Sequence, residues 1–334
     1  MGDIIHLLPA LTDASRAISD VQFDWVVEEN FAEIPVWHDK VSAVLPVALR
    51  RWRQRAILPT TWWQWRQFIK MLRARQYDFV IDAQGLLKSA FITCFTRGLR
   101  CGLGWRSAWE ALASLCYQKK CQVDPKQHAI TRMRDLMAKA LNYSLPTTIP
   151  EYGINRLQFH YAYPAQNYIV FIHGTTWQSK HWPLQYWVKL AELFNRSGFN
   201  ILLPWSNQQE LERAKFIAQK GDKTTVLPKL SLKEIAGVIA KAKAVVAVDT
   251  GLSHLTAALN IPCVSLYGPT SSEEVGTMGE NQTHMTKPFP CAPCRQQVCQ
   301  YNKPSMVSPA CFEAVTPQQV FDRLMLLLSS TLSC

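Results

Sequence analysis

Two stretches in the second half of the chain place polar and charged side chains directly after an apolar run. One follows NYIVFI and supplies two hydroxyls and a cation; the other follows AVVAV and supplies a carboxylate, a hydroxyl, a glycine and an imidazole. The residues concerned are Thr175, Thr176 and Lys180, and then Asp249, Thr250, Gly251 and His254. Each stretch leads into a predicted helix, whose unpaired N–H groups and dipole attract anions. Together they predict a diphosphate site.

A plainer interpretation of these two stretches stays open. Paired threonines after a strand often cap a helix, and Asp-Thr-Gly is often only a turn. The common nucleotide motifs G-x-G-x-x-G and G-x-x-x-x-G-K-[ST] do not occur in the sequence. Hydride transfer with NAD and P-loop phosphoryl transfer are therefore disfavoured.

Alternating strand and helix patterns must position these stretches. Short apolar runs and longer helical patterns alternate along both halves, which favours parallel sheets flanked by helices. The predicted strands are 23–27, 41–47 and 77–83, then 167–174, 199–205, 224–228, 244–249 and 264–268. The predicted helices are 60–75, 183–198, 208–221, 231–243 and one from Thr316, with Pro183 in a first turn and a capping box at Ser231 and Glu234.

The fold class predicted is α/β, with two doubly wound domains facing a central cleft. The domains are 1–150 and 165–334, joined by a linker within the Pro- and Tyr-rich residues 144–166. Such sheets bind ligands at the carboxyl ends of their strands. At the start of the chain, Gly2 and Asp3 open a helical pattern of the kind that a strand normally precedes, and an acid at a helix start is most often a cap.

The charge is unevenly distributed over the 334 residues, whose formal net charge is +11. No acidic residue lies between Asp39 and Asp78, an interval that is rich in arginine and tryptophan. Its cations and indoles include Arg50, Arg51, Arg53, Arg55, Arg66, Lys70, Arg73 and Arg75, and Trp52, Trp62, Trp63 and Trp65. This composition favours a nucleic-acid surface or an anionic membrane interface, although a solvated helix face with core tryptophans is also consistent with it.

Four of the 10 cysteines lie close together near the end of the chain, at Cys291, Cys294, Cys299 and Cys311. A C-x2-C pair followed by two further thiols is compatible with a structural zinc site, and reduced thiols in a loop are the alternative. No export signal is evident and no apolar run reaches the length of a spanning helix. The default expectation is a cytoplasmic protein without a disulfide framework.

Seven segments resemble the lipopolysaccharide heptosyltransferases of glycosyltransferase family 9, the type I enzymes more than type II. They are MGDIIHLLPALTDA, FDWVVEENFAEIP, ALRRWRQRA, YDFVIDAQGLLKSA, HWPLQYW, PWSNQQELERAK and VAVDTGLSHLTAALNIPCVSLYGPT. The resemblance implies a GT-B fold, with an N-terminal Rossmann-like domain for the acceptor and a C-terminal one for the nucleotide sugar. It implies no cofactor and no catalytic metal, the donor ADP-L-glycero-β-D-manno-heptose, the acceptor Kdo2-lipid A, and peripheral contact with the anionic inner face of the cytoplasmic membrane.

The resemblance also implies roles for individual residues. Asp3 corresponds to the catalytic base of an inverting transfer, and Lys180 corresponds to a diphosphate contact that also stabilises the departing ADP. The other donor contacts implied are Thr175, Thr176, Glu210, Leu230, Asp249, Thr250, Gly251 and His254. The basic acceptor loop corresponds to Arg50, Arg51 and Arg53. Heptosyltransferase II, another GT-B transferase and a basic nucleic-acid-binding protein are the alternatives.

Two departures from the family pattern bear on these expectations. The family's opening strand is absent ahead of Met1, so we expect a start codon upstream and a first sheet that lacks one strand. Trp109 and Glu110 stand where the family has Arg-Glu, which affects one acceptor contact.

Overall fold

The computed structural model describes residues 1–55, 57–161 and 167–331. They form two compact units, one of Asp3–Ile154 and one that begins at Asn155. This boundary falls within the predicted linker, of which residues 162–166 lie outside the described residues.

The first unit contains two parallel sheets instead of the single sheet predicted. β1 (Phe23–Glu28) pairs with β2 (Val41–Val47), and β4 (Leu99–Leu103) lies between β3 (Phe79–Asp82) and β5 (Lys119–Cys121). Within residues 1–55 and 57–154 no strand pairs with both β1 and β3, so the ladder is interrupted there.

Helices cover the strands of the first unit. α1 (Gly2–Ala17) packs Ala10, Leu11 and Ala14 against Met137 and Ile81, which anchors the start of the chain on the sheet face. Asp3 is exposed in the first turn of α1, where the helix dipole favours a carboxylate. The helices are α1 (Gly2–Ala17), α2 (Glu33–Val36), α3 (Leu49–Gln54), α4 (Pro59–Leu72), α5 (Leu87–Thr93) and α6 (Ala129–Leu141).

The second unit is built on one six-stranded parallel sheet. The strands are β6 (Tyr168–Ile172), β7 (Asn200–Leu203), β8 (Thr224–Val226), β9 (Ala244–Val248), β10 (Cys263–Leu266) and β11 (Gln282–Met285). Their order in the sheet is β11-β10-β9-β6-β7-β8. Every residue of β6 and β9 is buried, which explains their continuous apolar sequences.

The helices of the second unit begin close to the predicted positions. The capping box at α9 is confirmed, since Glu234 Oε2 accepts a hydrogen bond of 2.7 Å from the Ser231 N–H. Pro183 caps α7 instead of lying in its first turn, and α9 ends at Ala240, before the predicted Lys243. The helices are α7 (Leu184–Arg196), α8 (Gln208–Ala218), α9 (Leu232–Ala240), α10 (Gly251–Ala258), α11 (Ser272–Val275) and α12 (Pro317–Thr331).

Candidate functional site

The candidate site lies where the strand order of the second sheet reverses. From β6 the chain continues to β7 and β8 on one side of the sheet, and then to β9, β10 and β11 on the other. β6 and β9 are therefore adjacent, with Ile172 paired to Ala247 at their carboxyl ends. A crevice forms at such a point, and doubly wound sheets bind ligands there. Both polar stretches singled out in the sequence begin at this place.

Direct contacts join the two stretches through Asp249. Lys180 Nζ lies 2.7 Å from Asp249 Oδ2, and both side chains are largely buried. Thr175 Oγ1 donates a 3.1 Å hydrogen bond to the Asp249 carbonyl oxygen. Thr270 Oγ1 donates a third bond, of 2.6 Å, to Asp249 Oδ2. Thr270 was not among the predicted site residues, although its position just after β10, the strand next to β9, was the available signal.

The turn that carries Lys180 is hydrogen-bonded to a loop late in the chain, at Gln296 and Gln297. Ser179 is buried within this turn of Gln178–Lys180, and its N–H donates to the Gln297 carbonyl at 3.0 Å while its Oγ donates to the Gln296 carbonyl at 2.5 Å. Lys180 Nζ also lies 4.4 Å from the centre of the Trp177 ring, a cation–π contact. The ammonium group thus contacts Asp249 and the Trp177 ring, while the Ser179 bonds hold its turn.

The second stretch starts α10. Thr250 is the N-cap of this helix, and the Ser253 Oγ donates a 2.6 Å hydrogen bond back to the Thr250 carbonyl. Gly251 is the first helical residue and His254 is buried one turn later. Asp249, Thr250 and Gly251 therefore form the turn from β9 into α10, with Thr250 as the N-cap of the helix. The N–H groups of this first turn lie at the carboxyl end of β9, where an anion would be stabilised.

Glu210 lies beside the first stretch, in the first turn of α8. Its Oε2 accepts 2.7 Å hydrogen bonds from the N–H and Oγ of Ser206, which fixes the carboxylate. A Cβ at position 174 would stand 2.5 Å from Glu210 Cδ, so Gly174 permits the close approach. Leu230 is half-buried in the segment between β8 and α9. Both predicted contacts follow strands on the same edge of the sheet.

A buried histidine, His173, directly follows β6, just ahead of the first stretch. Burial, followed by the positive charge of Arg213, lowers the pKa of His173 to about 3. His173 packs edge-on against Trp187, with ring centres 6.4 Å apart. The imidazole is therefore neutral at physiological pH and serves as a packing residue between β6 and α7.

The three predicted acceptor arginines lie together on α3 in the first unit. Arg51 forms an ion pair with Glu29 at 2.9 Å and donates a 3.0 Å hydrogen bond to Gln64. Arg50 and Arg53 are exposed, and neither forms an ion pair with a described residue. Two of the three guanidinium groups are thus available to an anionic ligand.

The Trp109-Glu110 departure has a structural role. The Trp109 ring stacks on the guanidinium of Arg132, whose Cζ lies 4.8 Å from the ring centre. Glu110 Oε2 accepts a hydrogen bond from the Leu87 N–H at 2.5 Å. The buried Arg132 guanidinium therefore lies against the indole of Trp109.

The late cysteines do not form a ready-made metal site. In the part of the chain that the structure describes, no group of three or more His, Cys, Asp or Glu side chains is placed to hold a metal ion. Burial, with the nearby thiols of Cys299, Cys291 and Cys294, raises the pKa of Cys311 to about 12. The zinc hypothesis for the four cysteines stays a prediction.

These features define a Rossmann-like unit within an α/β protein of the GT-B class. The family model of glycosyltransferase family 9 (heptosyltransferase) matches residues 65–304. Lipopolysaccharide heptosyltransferase 1 of Pseudomonas aeruginosa is 47% identical over 99% of this chain and 97% of its own length.

Two solved heptosyltransferase structures are also similar to this chain. "E. coli heptosyltransferase WaaC with ADP" has a TM-score of 0.82 at 48% identity, and covers 85% of this chain and 89% of its own. The structure of the same enzyme with ADP-2-deoxy-2-fluoro heptose has a TM-score of 0.80 at 47% identity, over 86% and 90% of the two chains. The chain belongs to glycosyltransferase family 9, the heptosyltransferases. None of its described helices has the length and apolarity needed to cross a membrane.

Proposed function

We propose that this chain transfers L-glycero-D-manno-heptose from ADP-heptose to Kdo2-lipid A, a step of lipopolysaccharide inner-core synthesis. The observation that carries the proposal is the junction of the Lys180 turn and the Asp249 stretch at the point where the sheet reverses. Relatives 47% identical are named for heptose transfer, and a solved relative holds ADP.

The donor binds along the carboxyl edge of the second sheet. Thr175, Thr176 and the first N–H groups of α10 receive the diphosphate, and Lys180 supplies the positive charge beside it. Glu210 contacts the ribose and the segment at Leu230 holds the adenine. Asp249 accepts hydrogen bonds from heptose hydroxyls, because its carboxylate is already oriented by Lys180 and Thr270.

The transfer itself requires one proton acceptor and one stabilised leaving group. A Kdo hydroxyl oxygen attacks the anomeric carbon while the bond from that carbon to the diphosphate oxygen breaks, with inversion. Asp3 accepts the hydroxyl proton, as an exposed carboxylate can. ADP departs with the bonding electrons, and Lys180 with the helix N-terminus stabilises its charge.

The acceptor is the second part of the proposal. Arg50, Arg51 and Arg53 meet the anionic groups of Kdo2-lipid A, and the protein works in the cytoplasm at the inner face of the membrane. This assignment is supported by the exposure of Arg50 and Arg53 on α3. No cofactor and no nucleic acid enters the proposed reaction.

A direct assay tests the proposal. Purified protein is incubated with ADP-heptose and Kdo2-lipid A, and mass spectrometry follows the gain of one heptose on the lipid while ADP is released. A thermal-shift comparison of ADP with UDP and GDP checks the donor base, and we expect stabilisation by ADP. Preference for UDP or GDP would indicate another GT-B transferase, and transfer only to an acceptor that already carries heptose would indicate a type II enzyme.

A further inference from the structure

The structure sorts the tryptophans of the arginine-rich interval into two groups. Trp52 and Trp65 face inward, with ring centres 5.7 Å apart, and both pack on the buried Phe68. Trp52 Nε1 also donates a 2.8 Å hydrogen bond to Gln64, which ties α3 to α4. The core interpretation therefore holds for these two indoles and does not extend to the others.

Trp62 and Trp63 face solvent at the start of α4. Their side chains are 61% and 62% exposed, although tryptophan is one of the most apolar residues by area. Just before the helix, Ile57 is 95% exposed and Leu58 is 46% exposed. Four large apolar side chains thus protrude within seven positions of the chain, which marks an interaction surface.

Cations flank these apolar side chains along the same helix. Trp62, Arg66 and Lys70 follow one another at spacings of four residues, so they share one face of α4. Arg55 lies beside Ile57 in the preceding turn. Arg55, Arg66 and Lys70 are exposed, and none of the ion pairs among the described residues uses them. Their charge is therefore available to an anionic partner.

We propose that the surface formed by Ile57, Leu58, Trp62 and Trp63 with Arg55, Arg66 and Lys70 docks the protein onto an anionic lipid bilayer. Indoles locate at the boundary between acyl chains and headgroups, and a helix with basic and apolar side chains lies in that plane. The aliphatic pair enters the acyl region and the cations meet lipid phosphates. The proposal gives a location to the membrane contact of the proposed function and rests on it.

A bilayer fits these side chains better than a nucleic acid does. Exposed aromatic rings suit stacked bases, but Ile57 and Leu58 offer nothing to a base or a phosphate, whereas they suit acyl chains. The cations flank the apolar side chains, as an interfacial helix requires. One partner, the anionic bilayer, thus accounts for both the apolar side chains and the cations of the surface.

Sedimentation with large vesicles tests the proposal without acceptor or nucleotide sugar. The vesicles contain phosphatidylethanolamine with phosphatidylglycerol, and pure phosphatidylcholine vesicles serve as the neutral comparison. We expect the wild type to bind the anionic vesicles and Trp62→Ala/Trp63→Ala to bind them roughly tenfold less. Arg66→Gln/Lys70→Gln should lose about fivefold for each cation removed. Added salt should weaken the wild type.

Trp105→Ala is the matched control, since Trp105 is a 53% exposed indole of the same unit outside this surface. It should bind vesicles as the wild type does. Circular dichroism and the midpoint of thermal unfolding verify that each variant is folded. Transfer to a deacylated, water-soluble acceptor should be unchanged in Trp62→Ala/Trp63→Ala, which separates docking from catalysis.

The outcomes are distinct. Selective loss in the double tryptophan variant supports the docking surface, even if the transfer assay fails and the proposed function falls. Equal binding by wild type and Trp62→Ala/Trp63→Ala overturns it, as does equal binding to neutral and anionic vesicles. Binding of an oligonucleotide or self-association through Trp62 and Trp63, with no vesicle binding, also overturns it.

Discussion

Lys180 and Asp249 form a largely buried ion pair, 2.7 Å between Nζ and Oδ2, across the carboxyl ends of the two central strands of the second sheet. The pair joins the residue expected to bind diphosphate to the residue expected to bind heptose. A buried ion pair adds little net stability, but removal of one partner is costly because the other charge is left unpaired. The two residues are therefore coupled in folding as well as in donor binding.

Replacement of Lys180 by alanine tests the diphosphate contact. We expect ADP affinity to fall roughly tenfold to a hundredfold, because hydrogen bonds to charged groups contribute about 1.5–3 kcal/mol. Isothermal titration calorimetry with ADP measures the change. Lys189→Ala is the control, since Lys189 forms an exposed ion pair with Glu192 on α7. Unchanged ADP affinity in Lys180→Ala would mean that the diphosphate lies elsewhere.

Stability separates the two roles of the Lys180–Asp249 pair. Lys180→Ala should lower the midpoint of thermal unfolding, because the buried Asp249 carboxylate loses its cation and keeps the hydrogen bond from Thr270 Oγ1. Lys180→Ala/Asp249→Asn should regain much of that loss without regaining ADP affinity. The coupling would be contradicted if the double variant lost as much stability as the two single variants together, or more.

Asp3→Asn tests the base. Heptose transfer should fall about 10²–10⁴-fold, the usual contribution of general base catalysis, while ADP affinity stays the same. Rates with saturating ADP-heptose and calorimetry with ADP provide the two measurements. Asp20→Asn is the control, as an exposed acid just beyond α1. Near-normal turnover in Asp3→Asn refutes the assignment.

The sequence predicts β6 to β10 of the second unit, although not β11, and through them the place of the site. The continuous apolar runs of β6 and β9 identify buried parallel strands, and polar residues after both indicate the carboxyl edge. Thr270 and the carbonyls of Gln296 and Gln297 are not predictable, because their positions depend on how loops after other strands fold back. The interruption between β1 and β3 depends equally on pairing, which composition does not encode.

Ser179→Ala tests whether the loop that contains Gln296 and Gln297 positions the Lys180 turn. The variant loses the bond from Ser179 Oγ to the Gln296 carbonyl, so the turn should hold the ammonium group less firmly. We expect ADP affinity to decrease severalfold, about 1 kcal/mol for a neutral hydrogen bond. Ser179→Thr should rescue it in part because the hydroxyl returns. Ser197→Ala is the control, since its hydroxyl bonds only within the end of α7; an equal loss in both variants would contradict a positioning role.

The lowered pKa of His173 makes the free energy of unfolding depend on pH. Its pKa is lowered to about 3 by burial first and by Arg213 next, whereas an unfolded histidine titrates near its ordinary value of 6.5. Between these values the unfolded chain binds the additional proton, so stability is complete above about pH 6.5 and decreases as the pH falls towards 3.

The corresponding measurement is the midpoint of urea unfolding at pH 7 and pH 5, followed by tryptophan fluorescence, since Trp187 packs on His173. The midpoint of the wild type should be lower at pH 5. His173→Gln should reduce the difference between the two pH values, even if its stability at pH 7 is lower, because the titrating group is gone. His160→Gln, at an exposed position, should keep the full wild-type difference. A pH difference unaltered by His173→Gln would assign the effect to other histidines whose pKa values burial lowers, among them His38, His181 and His284.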